Sequence, residues 1–317
     1  MEIFNFFLLF FFVGQNLIIA EEEVKPCKKK SFGHDSFVCV CSSDYCDSPE
    51  PLGDVSGNKM VYYVSDKLAH RLAKFKNAEN KNEGASDDTE FEVRVDASKK
   101  RQRILGFGGA FTDAAGVNLN ALSERSREAL LKTYFDKEIG IGYSVGRVPI
   151  ASSDFSTREY SYLDTPDDFN LTTFALARED FEEKIPHILK AIQLTGGDLR
   201  LYASPWFFEE YAKQNVTFWG LTLQNEPFIV YNGNLSWQAH WFDSKSQCDF
   251  ASQLLLPALK SSEASKNLAC AGFFDWEHTP LLGDWIRGWS YGHDILNQLR
   301  NWVVGWTDWN LCEGKHS

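Results

Sequence analysis

Two rhythms of apolar residues divide the chain. Lys59–Asp66 (KMVYYVSD) and Phe91–Asp96 (FEVRVD) alternate apolar with polar positions, the period of a strand with one covered face. Lys76–Thr89, between them, is polar and charged and reads as a mobile surface loop. Beyond residue 100 the apolar positions run together. Ile104–Phe111, Gly142–Ile150, Leu199–Trp206, Thr217–Pro227 and Val303–Asn310 are continuous apolar runs of the kind buried on both faces of a parallel sheet. Glu124–Phe135, Arg178–Gln193, Phe250–Ser262 and Tyr291–Asn301 read as helices. Strand alternating with helix predicts βαβ units in an α/β protein, as an open doubly wound sheet or a barrel. No internal repeat or low-complexity tract interrupts this order.

The first twenty residues are a separate object. Ile3–Val13 is nearly unbroken Phe, Leu and Ile, and no Lys or Arg precedes Lys25. That run is short for a bilayer span and has the length of a signal-peptide core, with cleavage expected after Ala20; a membrane anchor is the alternative. The 317 residues carry a formal net charge of −12, which excludes the basic face that nucleic-acid binding requires. Hydrophobic residues at 44% and charged residues at 24% describe a chain able to bury a core. Aromatic residues, at 15%, stay abundant beyond the leader and suit a ligand with flat faces such as a sugar.

Cysteine usage agrees with export. Cys27, Cys39, Cys41 and Cys46 fall within twenty residues, which an oxidising compartment would convert to two disulfides and a reducing one to a metal site. The spacing lacks paired CxxC knuckles and offers only His34 nearby, which disfavours zinc. Cys248, Cys270 and Cys312 stand apart, and an odd total leaves at least one thiol without an intramolecular partner. Sequons at Asn170, Asn215 and Asn234 fit a glycoprotein of the secretory pathway.

The position of the polar residues favours the barrel. Gly106-Phe107-Gly108-Gly109 lacks the third glycine of a dinucleotide fingerprint. Asp113, Asn225, Glu226, Asp308 and Asn310, with Trp206 beside them, all follow the carboxyl ends of strands, where a TIM-type barrel builds its active site. A Glu at such a lip has its ionised form disfavoured, so Glu226 suits a general acid, against the alternative of a Glu in a surface turn. Asp113 could accept hydrogen bonds from sugar hydroxyls or cap a helix beginning at Ala114. Trp206 and Trp309 offer flat walls to a pyranose, or simply fill the core.

Cys27…Phe32-Gly33…Cys39-Val40-Cys41…Tyr45-Cys46, Gly106–Ala115 (GFGGAFTDAA), Arg147-Val148-Pro149, Asp154-Phe155-Ser156, Asp164–Phe169 (DTPDDF), Ala203-Ser204-Pro205-Trp206, Asn225-Glu226-Pro227 and Gly305–Asn310 (GWTDWN) occur in that order. Together they resemble the lysosomal glucosylceramidases, the acid β-glucosidases of glycoside hydrolase family 30. The resemblance implies a (β/α)8 barrel beside a small sheet stapled by Cys27–Cys39 and Cys41–Cys46. It also implies retaining hydrolysis of the β-glucosyl bond of glucosylceramide in the lysosome, without metal or organic cofactor. By the same resemblance Glu226 is the acid/base, and Asp113, Trp206, Asn225 and Trp309 bind glucose. Its partners are glucosylceramide or another β-glucoside, a lipid-presenting activator protein and an anionic lipid surface. The expected domains are a signal peptide over 1–20, an N-terminal β module over 21–100 that is part of a β-sandwich, and a truncated barrel over 101–317.

The chain departs from the family pattern in one decisive place. A retaining mechanism needs a second carboxylate about 5–5.5 Å from the first. The family carries it as a Glu two residues before a Cys; here Asn267-Leu268-Ala269-Cys270 matches that stretch, and Leu268 holds the position. Asp275, Glu277 and Asp308 are the nearby carboxylates, and adventitious placement by any of them is not expected to restore attack. The family also carries a loop and helix after Ala-Ser-Pro-Trp, two strands between the acid/base and the nucleophile, and a long tail. This chain passes directly over the first two and runs seven residues beyond Asn310. The expectation is a barrel of five or six strands and a catalytically inactive relative or incomplete gene product.

Overall fold

The computed structural model describes residues 25–56, 60–77, 96, 98–204, 207–225, 241, 243–261, 267–268 and 283–312. The leader, Phe91–Val95, most of the 76–89 segment, Trp206, Glu226, Asn234, Cys270, Asp275 and Glu277 lie outside them.

Near the N-terminus, β1 (Lys29–Lys30) and β2 (Val38–Cys39) pair antiparallel. Disulfides Cys27–Cys39 and Cys41–Cys46 staple this turn-rich stretch, as the resemblance implied. The alternating run at 59–66 is β3 (Met60–Val64), which pairs antiparallel with β4 (Ala73–Asn77). β4 overlaps the start of the stretch expected to be loop. Its AKFKN alternation is short and rich in Lys, so its strand signal is weak until the β3 partner is known.

The rest of the chain builds one parallel sheet. Its strands are β5 (Gly106–Ala110), β6 (Val145–Arg147), β7 (Arg200–Ala203), β8 (Gly220–Leu221), β9 (Asn267–Leu268) and β10 (Gly305–Asn310). They lie in the order β10-β5-β6-β7-β8-β9, every neighbouring pair parallel. The last strand pairs with the first, a neighbour relation that a TIM barrel makes when its sheet closes. Among the described residues β9 and β10 share no pairing, so six strands stand where eight complete a TIM barrel.

Between the strands lie α1 (Asp113–Ala121), α2 (Glu124–Phe135), α3 (Ile185–Leu194), α4 (Phe208–Ala212), α5 (Ser244–Asp249), α6 (Leu256–Ser261) and α7 (Trp285–Arg300). The expected helix at 124–135 matches α2, whose N-terminus is capped by Ser123 accepting from the Ser126 amide at 3.2 Å. The stretch expected as one helix from Arg178 is a π-helical turn, Asp180–Lys184, continuing into α3. A second π-helical segment, Phe250–Leu255, joins α5 to α6. No helix among the described residues is long and apolar enough to cross a membrane.

The core lies between the sheet and α1–α4. Phe111, Leu119, Leu131, Phe135, Ile188, Leu201 and Tyr211 are all buried there, and Phe111 stacks on Phe135 at 5.5 Å between centroids. Each such side chain contributes roughly 1.5–3 kcal/mol by leaving water. Glycines let the strands close over it. A Cβ at Gly108 would lie 1.6 Å from the Val145 carbonyl oxygen, and one at Gly146 would meet the Phe111 ring at 2.7 Å.

One ion pair sits inside this core. Asp180 and Lys184 are both fully buried, with Lys184 Nζ 3.3 Å from Asp180 Oδ1. The same carboxylate oxygen accepts the hydroxyls of Tyr162 and Tyr211, each at 2.6 Å, and the Ala177 amide donates to Oδ2 at 3.0 Å. Lys184 also donates to the carbonyls of Ala151 at 3.0 Å and Pro149 at 3.3 Å. The π-helical turn is thereby tied to the segment leaving β6 and to α4. Burial, with the Asp180 charge beside them, keeps both phenols protonated far above their ordinary range.

Candidate active site

The carboxyl ends of β5, β6, β8 and β10 converge. Asp113, 2% exposed, begins α1 just beyond β5. It does not cap that helix: Thr112 does, its Oγ1 accepting from the Ala115 amide at 2.9 Å. This corrects the capping alternative and leaves the Asp113 carboxylate to the site. Ser156 Oγ donates to Asp113 Oδ1 at 2.8 Å, and the Ser153 amide fixes Ser156 Oγ at 2.8 Å. Thr112 Oγ1 donates to Asn310 Oδ1, joining the ends of β5 and β10.

Arg147, the last residue of β6, connects the other candidates. Its Nη2 donates to Asn225 Oδ1, and its guanidinium lies over the Trp309 ring at 4.8 Å from the centroid. Trp309 is not simple core. It is half-buried, and its Nε1 donates to Asp154 Oδ1 at 3.2 Å. The indole is thus held by an N–H bond at its edge and a cation on its face, which fixes the plane it offers. Asp308 Oδ1 accepts from the Trp309 amide at 2.8 Å and from the Tyr291 hydroxyl at 3.4 Å. That carboxylate is engaged in shaping the end of β10.

Asp113, Asn225 and Trp309 are therefore brought to one face of the sheet. Glu226 directly follows Asn225 and Trp206 stands two residues beyond Ser204, and both lie outside the described residues. Leu268 is the second residue of β9, in register with Leu221 of β8. Three residues of the site were not singled out as site residues from sequence: Arg147, Asp154 and Ser156. All three stand in the Arg-Val-Pro and Asp-Phe-Ser motifs. The signal that could have marked Arg147 is a cation at the carboxyl end of an otherwise apolar strand.

Behind the site, Glu179 is 2% exposed and receives Arg158 Nε at 2.7 Å and Nη2 at 2.8 Å. Burial pushes the Glu179 carboxyl up, but the forked Arg158 pair with other bonds outweighs it and holds the group below its ordinary value. Asn170 and Asn215, two of the three sequon residues, are exposed.

In sequence, residues 104–208, 207–269 and 267–316 match the Glycosyl hydrolase family 30 TIM-barrel domain, in three pieces that abut on this chain. The chain is 34% identical over 378 aligned positions to "Putative glucosylceramidase 3" of Caenorhabditis elegans, covering 87% of this chain and 71% of that protein. It is 31% identical over 386 positions to the lysosomal acid glucosylceramidase of Mus musculus, covering 91% and 74%. Because 378 aligned positions engage only 87% of 317 residues, about 100 positions of the nematode protein have no counterpart within the aligned chain. Among solved structures, SrfJ from Salmonella typhimurium shares the fold with a TM-score of 0.64 at 22% identity, over 80% of this chain and 74% of that one. With the barrel-type strand order and the domain match spanning both halves of the sheet, this chain belongs to glycosyl hydrolase family 30, a family of glycosidases.

Proposed function

We propose that this chain is a glucosylceramidase sequence with interior segments missing, one that recognises the β-glucosyl group and does not turn it over. The observation that carries the reading is the junction of Asp113, Asn225 and Trp309 at the carboxyl face, linked through Arg147, Ser156 and Asp154. A carboxylate and an amide to bind sugar hydroxyls, beside an indole held in a fixed plane, suit a pyranose. The curated relatives are named for glucosylceramide hydrolysis, which supports that lipid as the parent substrate, and one is named lysosomal, which supports a lysosomal address reached through the secretory pathway. In the complete enzyme Glu226 serves as acid/base, Trp206 adds a second aromatic wall, and the Glu missing at Leu268 is the nucleophile.

Without that nucleophile no glycosyl-enzyme forms, because Leu268 has no lone pair to attack the anomeric carbon. The three abutting pieces of the domain match and the unmatched positions of the relatives support interior segments lost as blocks. Residues 21–100 form the accompanying β module, Asn170, Asn215 and Asn234 carry glycans, and an activator protein and anionic lipid present the substrate to the complete enzyme.

The test is a fluorogenic β-glucoside assay at acidic pH together with binding of a non-hydrolysable thio-β-glucoside. The expected result is saturable binding with no turnover above buffer. Turnover that Glu226→Gln abolishes would show a complete hydrolytic site and overturn the inactive reading; absence of binding would overturn the sugar site itself.

A further inference from the structure

Two phenylalanines share one surface loop and meet different fates. The loop leaves the core at Tyr162 and returns at Ala175, whose amide donates to the Tyr162 carbonyl at 3.0 Å. Phe174, at its base, packs edge-on against the buried Tyr162 ring, 5.8 Å between centroids. Phe169, midway along, is 88% exposed, more than any other large apolar side chain among the described residues.

A lone exposed apolar residue is ordinary, but the backbone holds this one firmly in water. Phe169 and Asn170 are the two central residues of a β-turn that the Leu171 amide closes on the Asp168 carbonyl at 3.0 Å. Leu171 sits at φ +56° and Asp167 at φ +59°, left-handed conformations that a side chain resists. The Asp168 carboxylate pins the far side: its Oδ2 accepts from the Thr173 amide at 2.8 Å, Thr173 Oγ1 at 2.9 Å and Thr172 Oγ1 at 3.0 Å. The turn is thus fixed by bonds within the loop, while both of its central residues are exposed.

Asn170 opens the sequon Asn170-Leu171-Thr172. In an exported chain its amide nitrogen takes a first N-acetylglucosamine from a lipid-pyrophosphate-linked oligosaccharide: the N–C1 bond forms, the pyrophosphate leaves and the amide gives up one proton. That sugar is tethered one residue from an exposed aromatic ring, so their meeting is intramolecular. Asp164, Asp167 and Asp168 lie around the turn in sequence, a setting that repels an anionic lipid surface or an acidic partner. The other described sequon lacks this arrangement, because Asn215 is followed by the fully buried Val216 and preceded by the polar Gln214.

We propose that the first sugar of an Asn170 glycan lies with its C–H face on the Phe169 ring, covering the exposed aromatic and stabilising the left-handed turn beneath it. The inference rests on the reading of this chain as a glycoprotein of the secretory pathway. Because the turn is already fixed, settling the sugar on the ring costs little further backbone order.

The experiment expresses the whole chain in cultured eukaryotic cells, checks occupancy of Asn170 by peptide mass spectrometry, and compares the parent with Phe169→Ala, Asn170→Gln and the double variant. In carbon–proton NMR spectra of the parent, the ring should move the C–H protons of the first sugar upfield, and Phe169→Ala should return them to free-glycan positions. In thermal melts, Asn170→Gln should lower the midpoint by about 2 °C where Phe169 is present and by much less in the Phe169→Ala background. Unmoved sugar protons on an occupied Asn170, or equal midpoint losses in both backgrounds, would overturn the proposal while leaving the glycoprotein reading standing. An effect of Phe169→Ala that persists without the glycan and grows with protein concentration would assign the ring to contacts between copies and overturn it likewise. An unoccupied Asn170 would overturn both.

Discussion

Burial of His187 predicts that this fold loses stability on acidification by a defined amount. His187 lies on α3, 5% exposed, and its Nε2 has no partner among the described residues. Burial, and next the positive charge of Arg127, push its pKa down to about 4, with the Gly116 backbone offsetting part of the shift. The unfolded imidazole titrates near 6.5, so between these values the unfolded chain binds a proton that the folded chain refuses. Stability is therefore complete above about pH 6.5 and is drained as pH falls toward 4. At pH 5 the unfolded imidazole is about thirty-fold more protonated than neutral and the folded one about tenfold less, which amounts to about 2 kcal/mol lost relative to pH 7. Against a total of about 5–15 kcal/mol this is a substantial part. Urea unfolding at pH 7 and pH 5 measures it, with His187→Gln as the comparison, since the amide is polar at the same place and does not titrate. The parent should lose about 2 kcal/mol more than the variant between the two pH values. Equal losses would refute the reasoning, because every other titrating group is common to both proteins.

Two further outcomes follow from the geometry. Lys184→Met removes the cation paired with buried Asp180 and should cost about 3–5 kcal/mol in urea unfolding, much of it recovered when Asp180→Asn is added, because the penalty is an uncompensated buried charge. Arg147→Lys keeps the charge but not the planar fork that reaches Asn225 and covers Trp309, so thio-β-glucoside affinity should fall about tenfold with little change in the melt.

Much of the fold was legible because continuous apolar runs separated by helical stretches admit few arrangements. The runs ending at Phe111, Ile150, Trp206 and Asn310 each contain an observed strand, and α2 spans the predicted 124–135. β4 and α4 were not foreseen. AKFKN and FEEYA are too short for periodicity to speak, and each is settled by what it packs on, β3 in one case and the Phe207–Phe218 cluster in the other. The π-helical turn at Asp180–Lys184 was also invisible, because nothing in DFEEK distinguishes π from α winding before Asp180 and Lys184 meet inside the core.

For the site the division is sharper. The sequence alone determined which residue types stand at the strand ends, Asp113, Asn225 and Trp309 among them, and that a Leu occupies position 268. It also marked the cysteines that form both disulfides, through a resemblance carried by ordered motifs. Only the tertiary structure decided that Thr112 rather than Asp113 caps α1, and that Arg147 reaches Asn225 across 78 positions of chain while lying over the Trp309 ring. The physical reason is range. Strand and helix signals are local, written in neighbouring side chains, whereas hydrogen bonds and cation–π contacts between strand ends exist only once parallel strands distant in sequence lie side by side.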